Sequence, residues 1–589
     1  MSAAEEVLRP VTVGGLDGSE QTFHLDESAT VLDVRERLAG IVTAGNVLVL
    51  TASGHILDDA TPLEQVKGDI TYVSQQVDAY TSLVAFGRAL DGQRLRGADL
   101  EAKDAITSLT FDRDFILASV ELPKNLLYLT FGHGFNQSLA NVKLPSCLRS
   151  LTFGDFFNRS LVNVELPGSL QSLTFATMFD QSLEHVILPA GLKSLTFGDG
   201  FNQRLSNVSL PQSLESLTFG GCFNQSFSHL SLPQSLLSLV FGTSFDQSLE
   251  SATLPSSLQF LQFGDHFDKS LQNVTLPNSL KDLRFGSNYG HSLKDVALPN
   301  HLRCLHFGDR FEKAVIDFNF PGTLENLCLG SWDKADPAVW NMTFPPNLQL
   351  LEFGNHFGAM ENVDLPAGLH SLIIGNNQSL QNVRFPETLR ILFLKDAFNQ
   401  SLVGVDFPGS LRSLELGALF NQSLENVTLP ASLQSLTFGH DFNQSLVNLK
   451  LPSSLRSLTF GNNFDQSFLN VELPGSLQSL TFGYLFNQEL QEVALPDSLQ
   501  SLSLGYGFSR SLQNMRWPCS LKSMSFGNHL EYGLDYERLP AGLRSLTFDG
   551  RERRNYLRDV VNLRLPRHLR ELKFNGVHAC MADCSSSGG

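Results

Sequence analysis

No stretch of this 589-residue chain reaches the roughly 18 consecutive apolar residues that a membrane-crossing helix requires. No membrane partner is expected. The N-terminus, MSAAEEVLRPV, has neither the basic start nor the apolar core of a secretory signal, so the expected location is cytoplasmic. Positive charge is also short: 42 Lys and Arg stand against 60 Asp and Glu, a net charge of −18. A general nucleic-acid binder needs the opposite balance, so no nucleic acid is expected either. Cysteine is sparse and odd in number, seven residues at 147, 222, 304, 328, 519, 580 and 584 with no regular interval. That pattern does not frame disulfides and fits reduced thiols. Catalytic signatures are missing as well, with no Walker loop, G-x-G-x-x-G, H-E-x-x-H or G-x-S-x-G. The chain therefore reads as a non-enzyme that needs no cofactor and holds no metal.

Tryptophan (3) and tyrosine (9) are few beside 45 phenylalanines. The imbalance comes from a repeat. A 22-residue unit, S-L-x-S-L-T-F-G-x-x-F-N-Q-S-L-x-N-V-x-L-P, recurs from about residue 100 to 576 and supplies two Phe each time. Its prolines mark the period, stepping by 22 from Pro123 through Pro145, Pro167 and Pro189 to Pro321, and again from Pro386 to Pro540. Self-similarity at such a period means a solenoid.

Each unit has two similar halves, as in Ser169-Leu170-Gln171-Ser172-Leu173-Thr174-Phe175 and Ser182-Leu183-Glu184-His185-Val186-Ile187-Leu188-Pro189. Both carry apolar residues two apart, closed across the repeats by Gly or Pro as punctuation, the pattern of a strand with one buried face. In the second half the spacing of Phe179, Leu183 and Val186 is also helical. Its short length and terminal proline favour strand or irregular extended chain. A single coil encloses only about seven apolar side chains, too few to offset the entropy of ordering it. Coils must therefore stack, with Phe, Leu and Asn each forming a ladder.

The L-x-x-L-x-F and L-x-x-V-x-L-P segments resemble leucine-rich repeats, and F-N-Q-S-L within a 22-residue period is most similar to the FNIP repeat, kin of the BspA-like group. The resemblance implies a mainly β solenoid of about 21 coils that binds protein partners. One departure is consistent: the family usually has Pro where this chain has Ser, as in Phe135-Asn136-Gln137-Ser138. The many Asn-x-Ser/Thr sequons, such as Asn136, Asn158 and Asn443, read as by-products of this step.

Residues 1–77 differ in texture. VTVGG and QTFHLDE flank a Gly-containing turn like a β-hairpin. VLDVRERLAGIV has a helical stripe after a capping Ser28-Ala29-Thr30, and strands at NVLVLTA and DITYVSQQV follow. This order resembles ubiquitin-like (β-grasp, α+β) domains, most specifically across residues 48–63. The resemblance implies an apolar partner-binding patch at Leu16, Val49 and Val73, with Thr71 standing in place of the family's patch histidine. It further implies partners of the ubiquitin system and, without a conjugation tail after Gln76, no conjugation. Residues 78–99 read as a transition or cap, 100–576 as the solenoid, and 577–589 as a disordered tail.

In such a coil the x residues flanking the second Leu of L-x-x-L-x-F point outward. Most are Ser and Thr, but mid-array they diversify to Phe260, Gln262, Asp282, Arg284, Cys304, His306, Asn326, Cys328, Leu350, Glu352, Ile373, Ile391 and Phe393. Mixed aromatic, charged and apolar side chains are what a protein-binding face requires; drift in degenerate repeats is the plainer explanation. An aromatic-rich insertion at 331–340, the basic stretch 551–573 and the trio His578, Cys580 and Cys584 complete the candidates. The overall expectation is an adaptor, with an ice- or glycan-recognising surface or a plain structural repeat as alternatives.

Overall fold

In the computed structural model the described residues are 106–111, 122–227, 230–310, 318–331, 343–355, 360, 363–375, 377–512, 515–527, 539–548, 569–574 and 577–580, together with the backbone of five strands within 9–76. Those five are β1 (Arg9–Gly15), β2 (Glu20–Leu25), β3 (Asn46–Ala52), β4 (His55–Ile56) and β5 (Ile70–Gln76), in the sheet order β2-β1-β5-β3-β4. β1 and β5 run parallel at the centre; the other pairs are antiparallel. The helix expected over residues 31–41, the transition at 78–99 and the insertion at 332–340 lie outside the described residues.

The chain divides into two units, Met1–Leu258 and Gln259–Gly589. Each coil contributes one short strand. In the first unit these are β6 (Ser108–Phe111), β7 (Tyr128–Phe131), β8 (Ser150–Thr152), β9 (Ser172–Thr174), β10 (Ser194–Thr196), β11 (Ser216–Thr218) and β12 (Ser238–Val240). The second unit opens with β13 (Phe260–Gln262), β14 (Asp282–Arg284), β15 (Cys304–His306), β16 (Asn326–Leu329), β17 (Leu350–Phe353), β18 (Ser371–Ile374), β19 (Ile391–Leu394) and β20 (Ser413–Leu416). It continues with β21 (Ser435–Thr437), β22 (Ser457–Thr459), β23 (Ser479–Thr481), β24 (Ser501–Ser503), β25 (Ser523–Phe526), β26 (Ser545–Phe548), β27 (Glu571–Phe574) and β28 (Val577–Cys580). Within each unit successive coil strands pair in parallel and in phase, Leu173 on Leu195 in the first and Leu436 on Leu458 in the second, so the leucines form a buried column in each.

The second half of the coil is neither strand nor helix. It is a series of turns. In Leu161-Val162-Asn163-Val164 the Val164 N–H donates to the Leu161 carbonyl at 3.0 Å, and Asn163 has φ 66°. A turn with its third residue at positive φ selects Gly or Asn, and so Asn recurs there: Asn382, Asn426, Asn448 and Asn470 share this conformation. A second turn follows each proline, as where the Leu170 N–H meets the Pro167 carbonyl at 3.0 Å. The helical-looking trio Phe179, Leu183 and Val186 is buried as expected, but from irregular backbone. Seven side chains of that coil are interior: Leu170, Leu173, Phe175, Phe179, Leu183, Val186 and Leu188.

Phenylalanine makes two further columns. Phe175 and Phe179 stack within a coil at 3.8 Å, and each stacks on its successor, Phe197 at 5.8 Å and Phe201 at 6.0 Å. Asparagine forms a polar ladder between coils. Asn158 Oδ1 accepts the Asp180 N–H at 3.1 Å and the Gln181 side-chain amide at 2.9 Å; Asp180 Oδ1 does the same for Asn202 and Gln203. Asn and Asp alternate freely here because only the acceptor oxygen is used. The sequon asparagines thus have a structural task, and the following Gln has one too.

Serine in place of the family's proline also finds its reason. Ser160 Oγ accepts the Val162 N–H at 3.1 Å, and Ser182, Ser423 and Ser445 repeat the contact, closing by a hydrogen bond a turn that proline would preset by its ring. At the C-terminal end, β28 pairs antiparallel with β27, Phe574 opposite Val577; residues 581–589 of the expected tail lie outside the described residues. Asn575-Gly576 lies between the two strands, the strongest two-residue hairpin signal a sequence can carry.

Candidate functional site

The in-phase ladder turns scattered outward-facing positions into two columns. One runs Phe260, Asp282, Cys304, Asn326, Leu350, Ser371, Ile391, and the other Gln262, Arg284, His306, Cys328, Glu352, Ile373, Phe393, each residue registered on the next. Every predicted solenoid-face residue therefore sits on one continuous sheet face of the second unit, each with a partly exposed side chain between buried neighbours. Ile391 is the most open, 46% exposed. Of the ubiquitin-like patch, Val49 and Val73 are directly paired between β3 and β5, while Leu16 lies outside the described residues.

The face has an ordered polar end. Arg284 lies across Asp282, its Nε 3.0 Å and Nη2 2.8 Å from the carboxylate oxygens, and its guanidinium carbon is 5.1 Å from the centre of the Phe260 ring. The hydrogen bond to Asp282 raises the Arg284 pKa further, so the charge is fixed. Asn326 donates its amide to Cys304 Sγ at 3.2 Å. At the other end Glu352 pairs with Lys395, a residue that stands where most coils have glycine. On the three strands β17 to β19 lies the apolar group Leu350, Ile373, Ile391 and Phe393.

Burial, and for Cys328 also the neighbouring Glu352, pushes both the Cys304 and Cys328 thiols upward in pKa. A thiolate nucleophile or metal ligand needs the reverse shift. Among the described residues no group of three or more His, Cys, Asp or Glu is placed to hold a metal ion. His578 and Cys580 fall on β28, opposite Lys573 and Glu571, and Cys584 lies outside the described residues.

His306 is depressed below 6.5, first by burial and then by the Arg284 charge. A base with a depressed folded pKa contributes its full stability above the unfolded value and loses it as pH falls below about 6.5 towards the folded one. Urea midpoints measured from pH 8 to pH 5 should therefore fall on the acid side, and His306→Gln should flatten that fall. An unchanged slope in the variant would exclude His306 as its source.

Sequence reasoning missed the positions immediately before each strand. His301, Arg303, Thr323, Glu325, Asn347 and Gln349 line a polar cleft of about 340 Å³ beside β15–β17. Arg303 and Glu325 are ion-paired there at 3.2 Å, and Asn347 donates to the Gly322 carbonyl at 2.8 Å. The signal was the x of S-L-x-S, long and polar in almost every coil. Lys395 and the exposed Glu415, registered on Phe393, also belong to the face.

Comparison with known proteins agrees with this geometry. The FNIP Repeat profile matches residues 111–156, 135–178, 179–222, 201–244, 223–266, 245–288, 267–310, 398–441, 442–485 and 486–529, together more than half of the chain. Among solved structures, CroV588, described as a novel circular LRR protein structure, is 35% identical, with a TM-score of 0.51, covering 79% of this chain and 75% of its own. YopM from Yersinia enterocolitica is 18% identical, with a TM-score of 0.37, over 80% of this chain and 100% of its own. An internalin from Listeria monocytogenes is 16% identical, with a TM-score of 0.33, over 64% and 94%. No curated protein sequence matches. With its period, its Asn–Gln ladder and the matched segments in agreement, the chain belongs to the FNIP repeat family and carries a leucine-rich-repeat-like parallel solenoid.

Proposed function

We propose that this chain is a non-enzymatic, cytoplasmic protein-interaction scaffold whose solenoid grips a client on the sheet face between Phe260 and Phe393. The observation that carries the reading is the break in monotony. β8–β11 and β21–β23 present the same Ser-Leu-Thr in every coil, whereas β13–β19 present aromatic, charged and aliphatic side chains in register. Such a mixture supplies both the buried anchors and the orienting charges of a protein interface. The N-terminal module is read as ubiquitin-like, docking a receptor of the ubiquitin system; support comes from the residues 48–63 and from β1 and β5 lying parallel at the centre of a five-stranded sheet.

Cross-linking mass spectrometry on the full-length protein in cell extract tests the solenoid half. Client cross-links are expected to concentrate on the coils of residues 260–460. Cross-links spread evenly over the Ser/Thr coils β8–β11 would remove the reading. The regular hydroxyl columns of β21–β23 support a second reading, recognition of an ordered ice or glycan surface, which thermal hysteresis in the purified protein would establish.

A further inference from the structure

An acidic protein has an edge that is basic. The residue just before each strand's first outward position forms a third column, and from β19 onward it reads Arg390, Arg412, Gln434, Arg456, Gln478, Gln500, Lys522, Arg544, Arg570. Six of these nine are cations and none is an acid, within a chain of net charge −18. Backbone bonds hold the column: the Arg412 N–H donates to the Arg390 carbonyl at 2.8 Å, Gln434 to Arg412, and Arg456 to Gln434, each at 2.8 Å. Further along, Lys522 Nζ donates to the Gln500 side chain at 3.3 Å. Arg390, Arg412, Arg456 and Arg544 are exposed, and among the described residues none of them is in an ion pair. The same repeat position behaves differently in earlier coils, where Lys193 pairs with Glu215 at 2.9 Å and Arg303 with Glu325 at 3.2 Å. Arg149 is exposed but isolated, with Leu127 and Gln171 at that position in the neighbouring coils.

Acids do occur nearby in register: Glu387 and Asp497 before the column, and Glu415 and Glu571 on the strand face, the last of these taken by Lys573 at 2.6 Å. They are too few to neutralise it. Adjacent strands lie about 4.8 Å apart, so Arg390 and Arg412 hold like charges side by side, and the stretch from Arg390 to Arg456 extends roughly 14 Å over three steps. An extended peptide advances about 3.3 Å per residue and would need on the order of five residues to follow it. The column begins beside Ile391, the most exposed residue of the apolar group that also holds Leu350, Ile373 and Phe393. A nucleic acid would find cations there, but the stacked pair Tyr484 and Tyr506 follows β23 and β24, at the opposite end of those strands from the column; the Ile-rich group instead suits an aliphatic or aromatic side chain.

We infer that the client contacts this protein through an extended acidic segment of about five residues, its carboxylates on Arg390, Arg412 and Arg456 and an apolar side chain on the Ile391–Phe393 group. The inference rests on the scaffold reading and specifies its partner. Carboxylates meeting unpaired guanidinium groups give orientation and fast association, and the apolar anchor gives residence.

The test uses the full chain and a labelled synthetic peptide, rich in Glu with Phe at one end, followed by fluorescence anisotropy. Binding is expected to weaken at least tenfold for Arg412→Glu with Arg456→Glu, to weaken for Phe393→Ser, to fall steeply with salt, and to be unchanged for Arg149→Glu in the first unit. A peptide with Gln at every Glu position should lose most of its binding to the unaltered protein, which keeps the test independent of how the variants fold. Equal binding of the Glu and Gln peptides, or no binding of either, would overturn the inference while leaving the cross-linking test of the scaffold reading intact. Tighter binding of a thymidine oligonucleotide through the same arginines would overturn it in favour of a nucleic-acid partner.

Discussion

Replacing Phe442 by alanine should lower stability by about 3–5 kcal/mol, the range for a large aromatic removed from a packed interior. Phe442 is fully buried and stacked on three rings: Phe438 at 4.0 Å in its own coil, Phe420 at 6.0 Å and Phe464 at 5.9 Å in the coils on either side. Removing it opens a cavity that no neighbour can fill, because each coil's position is fixed by parallel strands above and below. The loss falls on three coils at once, so the unfolding transition should also broaden as the array uncouples at that point. Urea unfolding followed by circular dichroism measures both effects, with Leu485→Ala as the control. Leu485 is 49% exposed and its truncation should cost within about 0.5 kcal/mol. Similar midpoints for the two variants would mean that the phenylalanine columns do not bind the coils together.

Asn421→Leu should cost about 1–3 kcal/mol, and Asn421→Asp should cost far less. Asn421 Oδ1 accepts the Asn443 N–H at 2.9 Å and the Gln444 side-chain amide at 3.0 Å, both partly buried. Leucine leaves two donors without partners; aspartate keeps an oxygen in the same place. The molecule already contains this comparison, since Asp180 and Asp465 occupy the equivalent position and accept the same pair of bonds. Thermal melts of the two variants separate the outcomes. Equal destabilisation would show that the amide nitrogen, not the acceptor oxygen, matters, and the account of why Asn and Asp interchange would be wrong.

Much of this was legible in the residues. Leucines two and three apart beside Thr and Phe specified one buried-face strand per coil, and Ser172-Leu173-Thr174 is that strand. The Asn ladder was legible as a column, but the role of the following glutamine was not, because its partner lies 23 residues earlier in the chain. The spacing of Phe179, Leu183 and Val186 suited helix and extended chain alike. What separated them was the positive φ in the following turn, occupied by His185 there and by Asn163 and Asn426 elsewhere. The β27–β28 hairpin was announced by Asn575-Gly576 and was obscured by the polar residues after it. The outward-facing candidates were readable one by one, while the pairing of Arg284 with Asp282 and the ring of Phe260 beneath it were not.

The sequence alone determined the period, the strand, the buried leucine and phenylalanine columns and the net charge, since each of these follows from residues within one 22-residue repeat. Tertiary structure decided what the outward residues have for neighbours. Coils stacked in phase bring together side chains 22 positions apart, and only that stacking turns Arg390, Arg412 and Arg456 from scattered cations into a column, and Leu350, Ile373, Ile391 and Phe393 into one apolar group.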